Sequence, residues 1–340
     1  MNLLVTGSSG YVASHLVPAL VAQGHRVVGV DRVAGDERHL CRFIRGDLNE
    51  PAVAEECLAD VSGVIHLAAA KADWGLTAEE YYRDNLEATR RLLAAGRHKG
   101  ILDWVFFSTV SAMGPSRVPI DEAAGLNPIE PYGASKAEAE ALFAGLAAQE
   151  PQARVLILRP SVIYGPGNPE STNVYRLTDG LFRRRFVMVG DGRTVKTTSY
   201  IENMVEATLF LLARMTSGVS PYIYVDEPAL ETADLIRRLC GLLDRHPPRF
   251  RVPLPLAAAL AAPADLLARV TSVDLPITSA RIRKFCRSTV FDAGKIRRAG
   301  FCQPVDNDTA LARTVGWYLA ALKGKKVGRE TLPETDRAGR

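Results

Sequence analysis

The chain has 340 residues, of which 47% are apolar and 24% are charged, a balance typical of folded globular proteins rather than disordered or fibrous ones. This length exceeds the roughly 250 to 300 residues at which one hydrophobic core stops growing, which predicts a large domain and a smaller one. The formal net charge of +4 is too small and too dispersed to indicate nucleic-acid binding, which requires basic residues clustered on one face.

Short apolar runs alternate with helical patterns through the first half of the chain. Strands are predicted at 3–6, 26–30, 63–69, 104–108 and 154–158, and helices at 13–23, 84–97 and 132–149. Such alternation predicts βαβ units and a parallel sheet, and continuously apolar runs are typical of strands buried on both faces. The predicted fold class is therefore α/β, a doubly wound parallel sheet with a smaller, mostly helical second domain.

The Pro- and Gly-rich stretch at 160–169 is interpreted as a crossing between the two domains. The first domain is assigned to 1–168, with 200–226 returning to it, and the second to 169–199 and 227–322. Within the second half, helices are predicted at 174–184, at 203–215, and from 228 onward with Thr232 or Asp234 as the cap. An extended segment at 288–291 and a closing helix at 307–322 precede a tail, 323–340, that is predicted to be disordered.

The most apolar long segment, 252–270, is interrupted by three prolines and carries two charges, so it cannot span a bilayer. It is interpreted as helices with one buried stripe, and peripheral contact with a membrane stays an alternative. The arginine run at 183–185 is interpreted as a solvated helix end, with a site for an anionic ligand as the alternative.

Cysteine spacing and the first residues bear on the cellular compartment. The cysteines lie far apart without metal-ligand spacing, which predicts buried free thiols, no metal site and no disulfide framework. They are Cys41, Cys57, Cys240, Cys286 and Cys302. Met1 leads directly into a strand-like segment, which leaves no room for a cleavable signal, so we expect a cytoplasmic protein without stable membrane insertion.

The segment TGSSGYVA at 6–13 follows the first predicted strand and opens the first predicted helix, the context in which a glycine pattern binds a dinucleotide. Gly7 permits a tight turn, Gly10 lets backbone N–H groups approach a pyrophosphate, and the helix N-terminus attracts the anion. Ala13 replaces the last glycine of the usual pattern. The predicted cofactor contacts here are Gly7, Ser9, Gly10, Tyr11 and Val12.

Asp31 ends the second predicted strand, where a carboxylate accepts hydrogen bonds from the adenine ribose and repels a 2′-phosphate. This favours NAD as the cofactor. Arg32 keeps NADP as an alternative, because a guanidinium beside the ribose would neutralise that phosphate. Asp47 and Leu48, in a Gly-Asp-Leu turn, are predicted neighbours of the adenine, with a plain turn as the alternative.

Tyr132 and Lys136 stand four residues apart at the start of a predicted helix, which places both side chains on one face. A tyrosine titrates near 10 in water, so it needs a nearby cation before it can exchange protons at neutral pH. The preceding strand ends in hydroxyl-bearing residues at the sheet edge where ligands bind. The pattern predicts hydride transfer at a carbinol carbon, with Tyr132 as the proton carrier.

Together these features resemble the extended short-chain dehydrogenase/reductase family, in the branch of NAD-dependent sugar-nucleotide epimerases and dehydratases. The resemblance covers roughly residues 1 to 215. Its further matching segments are HLAA at 66–69, NLEAT at 85–89, RP at 159–160, YGPG at 164–167 and VGDG at 189–192.

The resemblance implies roles for further residues. The family's catalytic Ser or Thr falls on Thr109, with Ser108 and Ser111 as fallbacks. Lys71 matches a lysine that contacts the cofactor ribose in UDP-galactose 4-epimerases, and Asn85 an asparagine that orders backbone near the site. The other implied cofactor contacts are Leu67, Ala68, Ala69, Pro160 and Val162, and the implied substrate contacts are Ser111, Asn168, Asn173 and Lys196.

Four positions depart from patterns within the family. Val110 and Ser111 stand where the dehydratases have an Asp-Glu pair, so dehydration is not expected. Val162 replaces an asparagine that touches substrate in epimerases, and Lys196 replaces an arginine that grips the nucleotide diphosphate, offering charge without a bidentate fork.

The leading hypothesis is an NAD-dependent nucleotide-sugar epimerase, acting at C4 by transient hydride transfer. The alternative is a one-way ketoreductase or dehydrogenase on a 4-keto-deoxysugar nucleotide or a 3β-hydroxysteroid-like alcohol. A non-catalytic NAD-sensing protein is the remote alternative. The family resemblance also implies a homodimer, formed through the helices that begin near Asn85 and Tyr132.

Overall fold

The computed structural model describes residues 1–71, 75–116, 118–271, 279, 282–283 and 286–330, without the side chains of 266–271 and 324–330. The end of the predicted tail, 331–340, lies outside the described residues.

Seven parallel strands form the central sheet, which confirms the predicted fold class. Six of them are β1 (Asn2–Thr6), β2 (Arg26–Asp31), β3 (Arg42–Arg45), β4 (Gly63–His66), β5 (Asp103–Phe107) and β6 (Arg154–Pro160), and the seventh is Gly218–Tyr224. Across the sheet, Gly218–Tyr224 is followed by β6, β5, β4, β1, β2 and β3. The strand order reverses between β1 and β4, so the crevice for a ligand opens at the carboxyl ends of these two strands.

Helices cover both faces of this sheet because successive strand residues point to opposite sides. Leu3 and Val5 enter the core beneath the helices Tyr11–Ala22 and Ile201–Leu212, whereas Leu4 enters the core on the other face. That second core is closed by helices Pro51–Cys57, Ala88–His98 and Pro131–Gln149.

The rest of the second half forms a unit with its own apolar core. Its helices are Asn173–Phe182, Thr232–Leu242, Leu254–Thr271 and Asn307–Glu330, whereas the short helix Gly294–Arg298 packs through Ile296 into the core of the central sheet. Its strand pairs are very short: Val162–Tyr164 with Thr198–Tyr200, Met188–Val189 with Arg251–Val252, and Val195–Lys196 with Leu230–Glu231. This core contains tyrosines as well as aliphatic residues, among them Tyr164, Tyr200 and Tyr318.

Several predicted boundaries differ from the structure for local reasons. The helix expected from 84 begins at Ala78, because Thr77 and Glu80 form a capping box, and it passes through a π-helical turn at Tyr82–Glu87. Neither Thr232 nor Asp234 caps the next helix, since Glu231 occupies the cap position. The closing helix, Asn307–Glu330, contains the residues 323–330 that were expected to be disordered.

The predicted burial of all five thiols is wrong. Cys57 and Cys240 are buried, but Cys41 and Cys302 are exposed and Cys286 is half-buried. The two exposed residues lie in loops at the surface, Cys41 just before the edge strand β3 and Cys302 after Gly294–Arg298. Within the described residues, no helix is both long and apolar enough to cross a membrane.

Candidate active site

The turn between β1 and the helix Tyr11–Ala22 brings backbone to the carboxyl edge of the sheet. Gly7 adopts a φ of +66°, and a Cβ there would lie 2.8 Å from the amide nitrogen of Ala68. Gly10 occupies the cap of the helix, and a Cβ there would meet the Gly7 carbonyl at 3.0 Å. The loop is therefore built for close backbone approach to an anion, at a helix N-terminus whose first N–H groups point outward.

Asp31 lies at the carboxyl end of β2, beside this loop. Its carboxylate accepts hydrogen bonds from the backbone N–H of Ser9 at 3.1 Å and of Val33 at 3.2 Å. A carboxylate oxygen can accept more than one hydrogen bond, so the same group is able to receive ribose hydroxyls.

Arg32, the residue for which NADP is an alternative cofactor, is bound by two carboxylates. Its guanidinium contacts both oxygens of Asp84 at 2.8 Å and Asp47 at 3.0 Å. The hydrogen bonds from Arg32 hold the pKa of Asp84 well below its usual range, with a further contribution from Arg83. Because Arg32 already has carboxylate partners, it is poorly placed to receive a 2′-phosphate.

Lys136 lies in the helix Pro131–Gln149, one turn after Tyr132, and its side chain is buried. Its Nζ sits 4.0 Å from the centroid of the Phe106 ring and has no hydrogen-bond partner among the described residues. Burial lowers the pKa of Lys136 to about 7, and the nearby carboxylate of Glu140 opposes this shift. An orphaned buried ammonium beside a dinucleotide loop fits the hydroxyls of a bound ribose.

Tyr132 is half-buried, and its ring lies 5.9 Å from that of Tyr81. The next residue, Gly133, lets the helix approach the end of β5, since a Cβ there would lie 2.4 Å from the carbonyl oxygen of Ser111. Thr109 is buried at that strand end, and its Oγ1 accepts a hydrogen bond from the Ser111 amide at 3.1 Å. The structure thus brings Thr109, Ser111, Tyr132 and Lys136 to one edge.

Ser108, the fallback for Thr109, serves a different purpose. Its Oγ donates to the Glu140 carboxylate at 2.5 Å, and Glu140 also accepts two hydrogen bonds from Arg159, at 3.0 and 2.6 Å. All three side chains are buried. No role was predicted for Glu140 from the sequence. It stands four residues after Lys136 on the same helix face, and that spacing could have identified it.

Asn85 ties two parts of the site together. Its Oδ1 accepts from the amide of Ala70 at 2.7 Å, and its Nδ2 donates to the carbonyl of Ala70 at 3.2 Å and to Ser135 Oγ at 3.0 Å. The segment that follows β4 is thereby fastened to the helix that carries Tyr132. The geometry matches the backbone-ordering role that the resemblance implies.

Like Glu140, the buried imidazole of His66 was not predicted to have a role. The imidazole of His66 lies between Thr6 Oγ1 at 2.7 Å and Thr89 Oγ1 at 2.9 Å, and Thr6 Oγ1 also accepts from the amide of Ala68 at 3.1 Å. Burial lowers the pKa of His66 to about 3, with a contribution from the Lys136 charge. A neutral imidazole therefore fixes the carboxyl ends of β1 and β4 beside the loop.

The remaining predicted cofactor contacts border the same crevice. Leu67 and Ala68 directly follow β4 and are half-buried, whereas Ala69 and Lys71 are exposed. Asp47 and Leu48 follow β3, and the Asp47 carboxylate accepts from the Asn49 amide at 2.8 Å. Pro160 ends β6, and Val162 pairs with Thr198 in the strand pair next to it.

The predicted substrate residues of the second half are more dispersed. Asn168 is buried, and both polar atoms of its side chain lack partners among the described residues. Its loop packs on the first helix, where His15 Nε2 lies 3.0 Å from the Pro166 carbonyl oxygen. Asn173 is exposed at the start of its helix, and Lys196 donates to the carbonyl of Arg287. Of these three, Asn168 fits a buried ligand most directly.

The comparisons with known proteins agree with this geometry. The model of the NAD dependent epimerase/dehydratase family matches residues 3–225. The chain belongs to this family. It is an NAD-dependent enzyme of the extended short-chain dehydrogenase/reductase type that acts on a small-molecule substrate.

Individual relatives cover most of the chain. An N-acetyl-alpha-D-glucosaminyl-diphospho-ditrans,octacis-undecaprenol 4-epimerase of Escherichia coli O157:H7 is 31% identical over 95% of this chain and 96% of its own length. A 2-alkyl-3-oxoalkanoate reductase of Stenotrophomonas maltophilia is 32% identical over 65% of this chain and 68% of its own. The structure of MoeE5 in complex with UDP-glucose and NAD has a TM-score of 0.77 and 26% identity, covering 95% of this chain and 100% of MoeE5.

Proposed function

We propose that this enzyme is a sugar 4-epimerase that works by transient hydride transfer. The observation that carries the proposal is the union of Thr109, Tyr132 and the buried Lys136 at the edge of an NAD-binding loop. One of the relatives that match the chain almost end to end, at 31% identity, is itself a 4-epimerase. Dehydration is disfavoured because Val110, in the position after Thr109, is buried and apolar.

Bound NAD would supply a reversible hydride acceptor for the sugar carbon, and inversion requires that the hydride return to the opposite face of the 4-keto sugar. Tyr132 removes the proton of the C4 hydroxyl and later gives it back, since its phenol lies at the open edge of the site. The Lys136 ammonium, on the same helix face, stabilises the phenolate, and the Thr109 hydroxyl holds the reacting oxygen. Because the hydride comes back, no external redox partner is consumed.

For the carrier of the sugar we propose a polyprenol joined through a diphosphate. The supporting observation is that the full-length relative acts on such a substrate, as its name states. The second candidate carrier is a nucleotide, as in a UDP-sugar, and it is favoured by the similarity to a structure that holds UDP-glucose. Both carriers present a diphosphate to the same region, in which Asn168 and Lys196 are proposed contacts.

One experiment distinguishes an epimerase from a reductase, and a polyprenyl diphosphate carrier from a nucleotide carrier. Purified enzyme is offered N-acetylglucosamine linked to undecaprenyl diphosphate, UDP-N-acetylglucosamine or UDP-glucose, each without added nicotinamide nucleotide, and the C4 configuration is followed by NMR. We expect inversion of the lipid-linked sugar without net change in absorbance at the NADH band. Turnover that strictly consumes added NADH would instead establish the one-way reductase, and inversion of UDP-sugars alone would establish the nucleotide carrier.

We also propose that the enzyme forms a homodimer through the helices Ala88–His98 and Pro131–Gln149. The outer face of the second helix carries small residues, including Ala141, Ala144 and Ala148, that are exposed in the single chain. Small side chains allow two helices to approach closely. Light scattering on the purified enzyme tests this, with a monomer mass as the contradicting result.

A further inference from the structure

The helix Leu254–Thr271 presents two leucines of its first turns to solvent. Leu256 is 52% exposed and Leu260 is 70% exposed, whereas the small residues Ala257 and Ala261 are buried against the body of the protein. This reverses the usual arrangement of an amphipathic helix, in which leucines face the core. The rest of the outward face is apolar as well, and consists of Pro255, Ala259, Ala262 and Pro263.

Two more exposed apolar side chains stand next to this helix. Met188 pairs with Arg251 in a short parallel ladder. The residues just before them, Val187 and Phe250, are 55% and 85% exposed. Because both strands run in the same direction, these two side chains lie at the same end of the ladder, a few residues before the helix begins. Val187, Phe250, Leu256 and Leu260 are called the apolar patch below.

Basic residues adjoin the apolar patch at Val187 and Phe250. The segments 183–187 and 245–251, which contain Val187 and Phe250, together hold six arginines and no acidic residue. Some of these arginines have structural partners: Arg183 binds Asp179, and Arg245 lies over the Phe182 ring at 4.8 Å. Arg184, Arg185 and Arg249 are exposed. An apolar surface with a cationic border complements a lipid surface that carries anionic headgroups.

We propose that the apolar patch docks on a bilayer that contains anionic phospholipids. The uncharged run 253–264 would span only about 18 Å as a helix, against a hydrocarbon core of about 30 Å, so the helix lies in the interface and does not cross it. The proposal rests on the proposed polyprenol carrier, because a sugar whose carrier is dissolved in the membrane must be reached from the membrane surface.

A second copy of the chain fits the apolar patch less well. In a two-fold interface the same surface meets itself, so the arginine-rich segments of both copies would be brought into one interface. Like charges brought together oppose association, whereas anionic headgroups are attracted to every exposed arginine.

The apolar patch is connected to the region where substrate is expected. The ladder continues into the turn at 189–192, where the Gly190 amide donates to the Val252 carbonyl at 2.9 Å. That turn leads to Val195–Lys196, which pairs with Leu230–Glu231. A membrane bound at the apolar patch would therefore lie beside the unit that carries Lys196.

The experiment measures binding of the full-length enzyme to vesicles by sedimentation. Vesicles of phosphatidylcholine alone are compared with an equal mixture of phosphatidylcholine and phosphatidylglycerol. We expect binding to the mixed vesicles, a loss of tenfold or more in the Phe250→Ser/Leu260→Ser variant, and a loss of about fivefold for each arginine removed in Arg184→Ala and Arg185→Ala. The matched control is Leu242→Ser, since Leu242 is exposed on the helix Thr232–Leu242, outside the apolar patch.

Three results would overturn the proposal: no binding of the wild type to mixed vesicles, unchanged binding of the Phe250→Ser/Leu260→Ser variant, or a loss equally large in Leu242→Ser. If this double variant instead converts a dimer to a monomer in light scattering while vesicle binding persists, the patch is an interface between two copies.

A second readout keeps this proposal distinct from the proposed function. The variants are assayed with a water-soluble, short-chain prenyl diphosphate sugar and with the undecaprenyl substrate in mixed vesicles. We expect the Phe250→Ser/Leu260→Ser variant to keep its turnover of the soluble substrate and to lose kcat/KM on the vesicle substrate about tenfold. If the wild type binds vesicles but inverts neither substrate, the carrier hypothesis fails while docking stands.

Discussion

The crevice at the carboxyl edge of the sheet and the surface around the helix Leu254–Thr271 are built in opposite ways. In the crevice, polar and charged groups are buried: Ser108, Glu140 and Arg159 bind one another, whereas Lys136 Nζ has no hydrogen-bond partner among the described residues. At the helix, apolar side chains such as Leu260 are exposed. Both arrangements cost free energy in an isolated chain, so both indicate function, the first through a bound cofactor and the second through a partner surface.

The two regions also differ in how they are held. Long neighbouring strands and paired buried charges fix the crevice, so a hydride donor and a phenol can be aligned within it. Two-residue ladders such as Met188–Val189 with Arg251–Val252 hold the second region. The proposed function therefore places the chemistry in the first region and recognition of the carrier in the second, a division that the following variants can break or sharpen.

The largest effect is expected for Tyr132→Phe. Loss of the proton carrier should lower kcat by about 10²- to 10⁴-fold, the range of general acid–base catalysis, with little change in stability because the phenol is half-exposed. Steady-state kinetics on the sugar substrate measures this. Tyr82→Phe is the matched control, since the Tyr82 phenol donates to the exposed Glu138 and is expected to leave kcat unchanged. Normal turnover in Tyr132→Phe would show that Tyr132 is not the proton carrier.

Glu140→Gln should have the largest effect on stability. It leaves the Arg159 guanidinium buried without its carboxylate, which typically costs about 3–5 kcal/mol in the free energy of unfolding. Urea unfolding at neutral pH provides the measurement. The control Glu87→Gln breaks an exposed pair with Arg90, and about 1 kcal/mol or less is expected there. Equal losses in the two variants would contradict the view that buried charge pairing fixes the crevice.

The sequence predicted which residues lie at the crevice because each pattern that points to them occupies a short stretch of the chain. The glycine loop lies between β1 and the first helix, Asp31 ends β2, and Tyr132 and Lys136 lie one turn apart in a single helix, so each of these features could be recognised from a short stretch of sequence. The partners of buried polar groups come from distant segments, as His66 with Thr6 and Thr89 shows, and no local pattern reports them.

The outward face of the second region escaped prediction for a related reason. The segment 252–270 was interpreted as having one buried stripe, and Ala257 and Ala261 do form one. Apolar residues occur on all sides of this helix, however, so their period alone could not tell that Ala257 and Ala261 face inward while Leu256 and Leu260 face outward. Which side is covered depends on the rest of the fold.

A smaller effect is expected from the charge of Lys136. Its pKa in the folded protein is about 7, against an ordinary value of 10.5, so between these pH values the unfolded chain holds a proton that the folded chain does not. Stability therefore rises with pH across this window, by as much as ~1.4 kcal/mol per pH unit. Other groups titrate there too, so the measurement is the difference in unfolding free energy between wild type and Lys136→Met. A difference that stays constant with pH would mean that Lys136 is not desolvated.

The smallest effect is expected for Leu260→Ala, and it bears on the second region alone. An exposed leucine contributes little to folding, so the free energy of unfolding should change by no more than about 0.5 kcal/mol. The control is Leu239→Ala, in the buried core of the same unit, which should lower the free energy of unfolding by about 2–5 kcal/mol. Unfolding is followed at two protein concentrations, since a covering copy of the chain would make the midpoint concentration-dependent. The contradicting result is that Leu260→Ala lowers the free energy of unfolding as much as Leu239→Ala does, and only at high protein concentration. Leu260 would then be covered by a second chain in solution, and the second region would not present an exposed apolar surface.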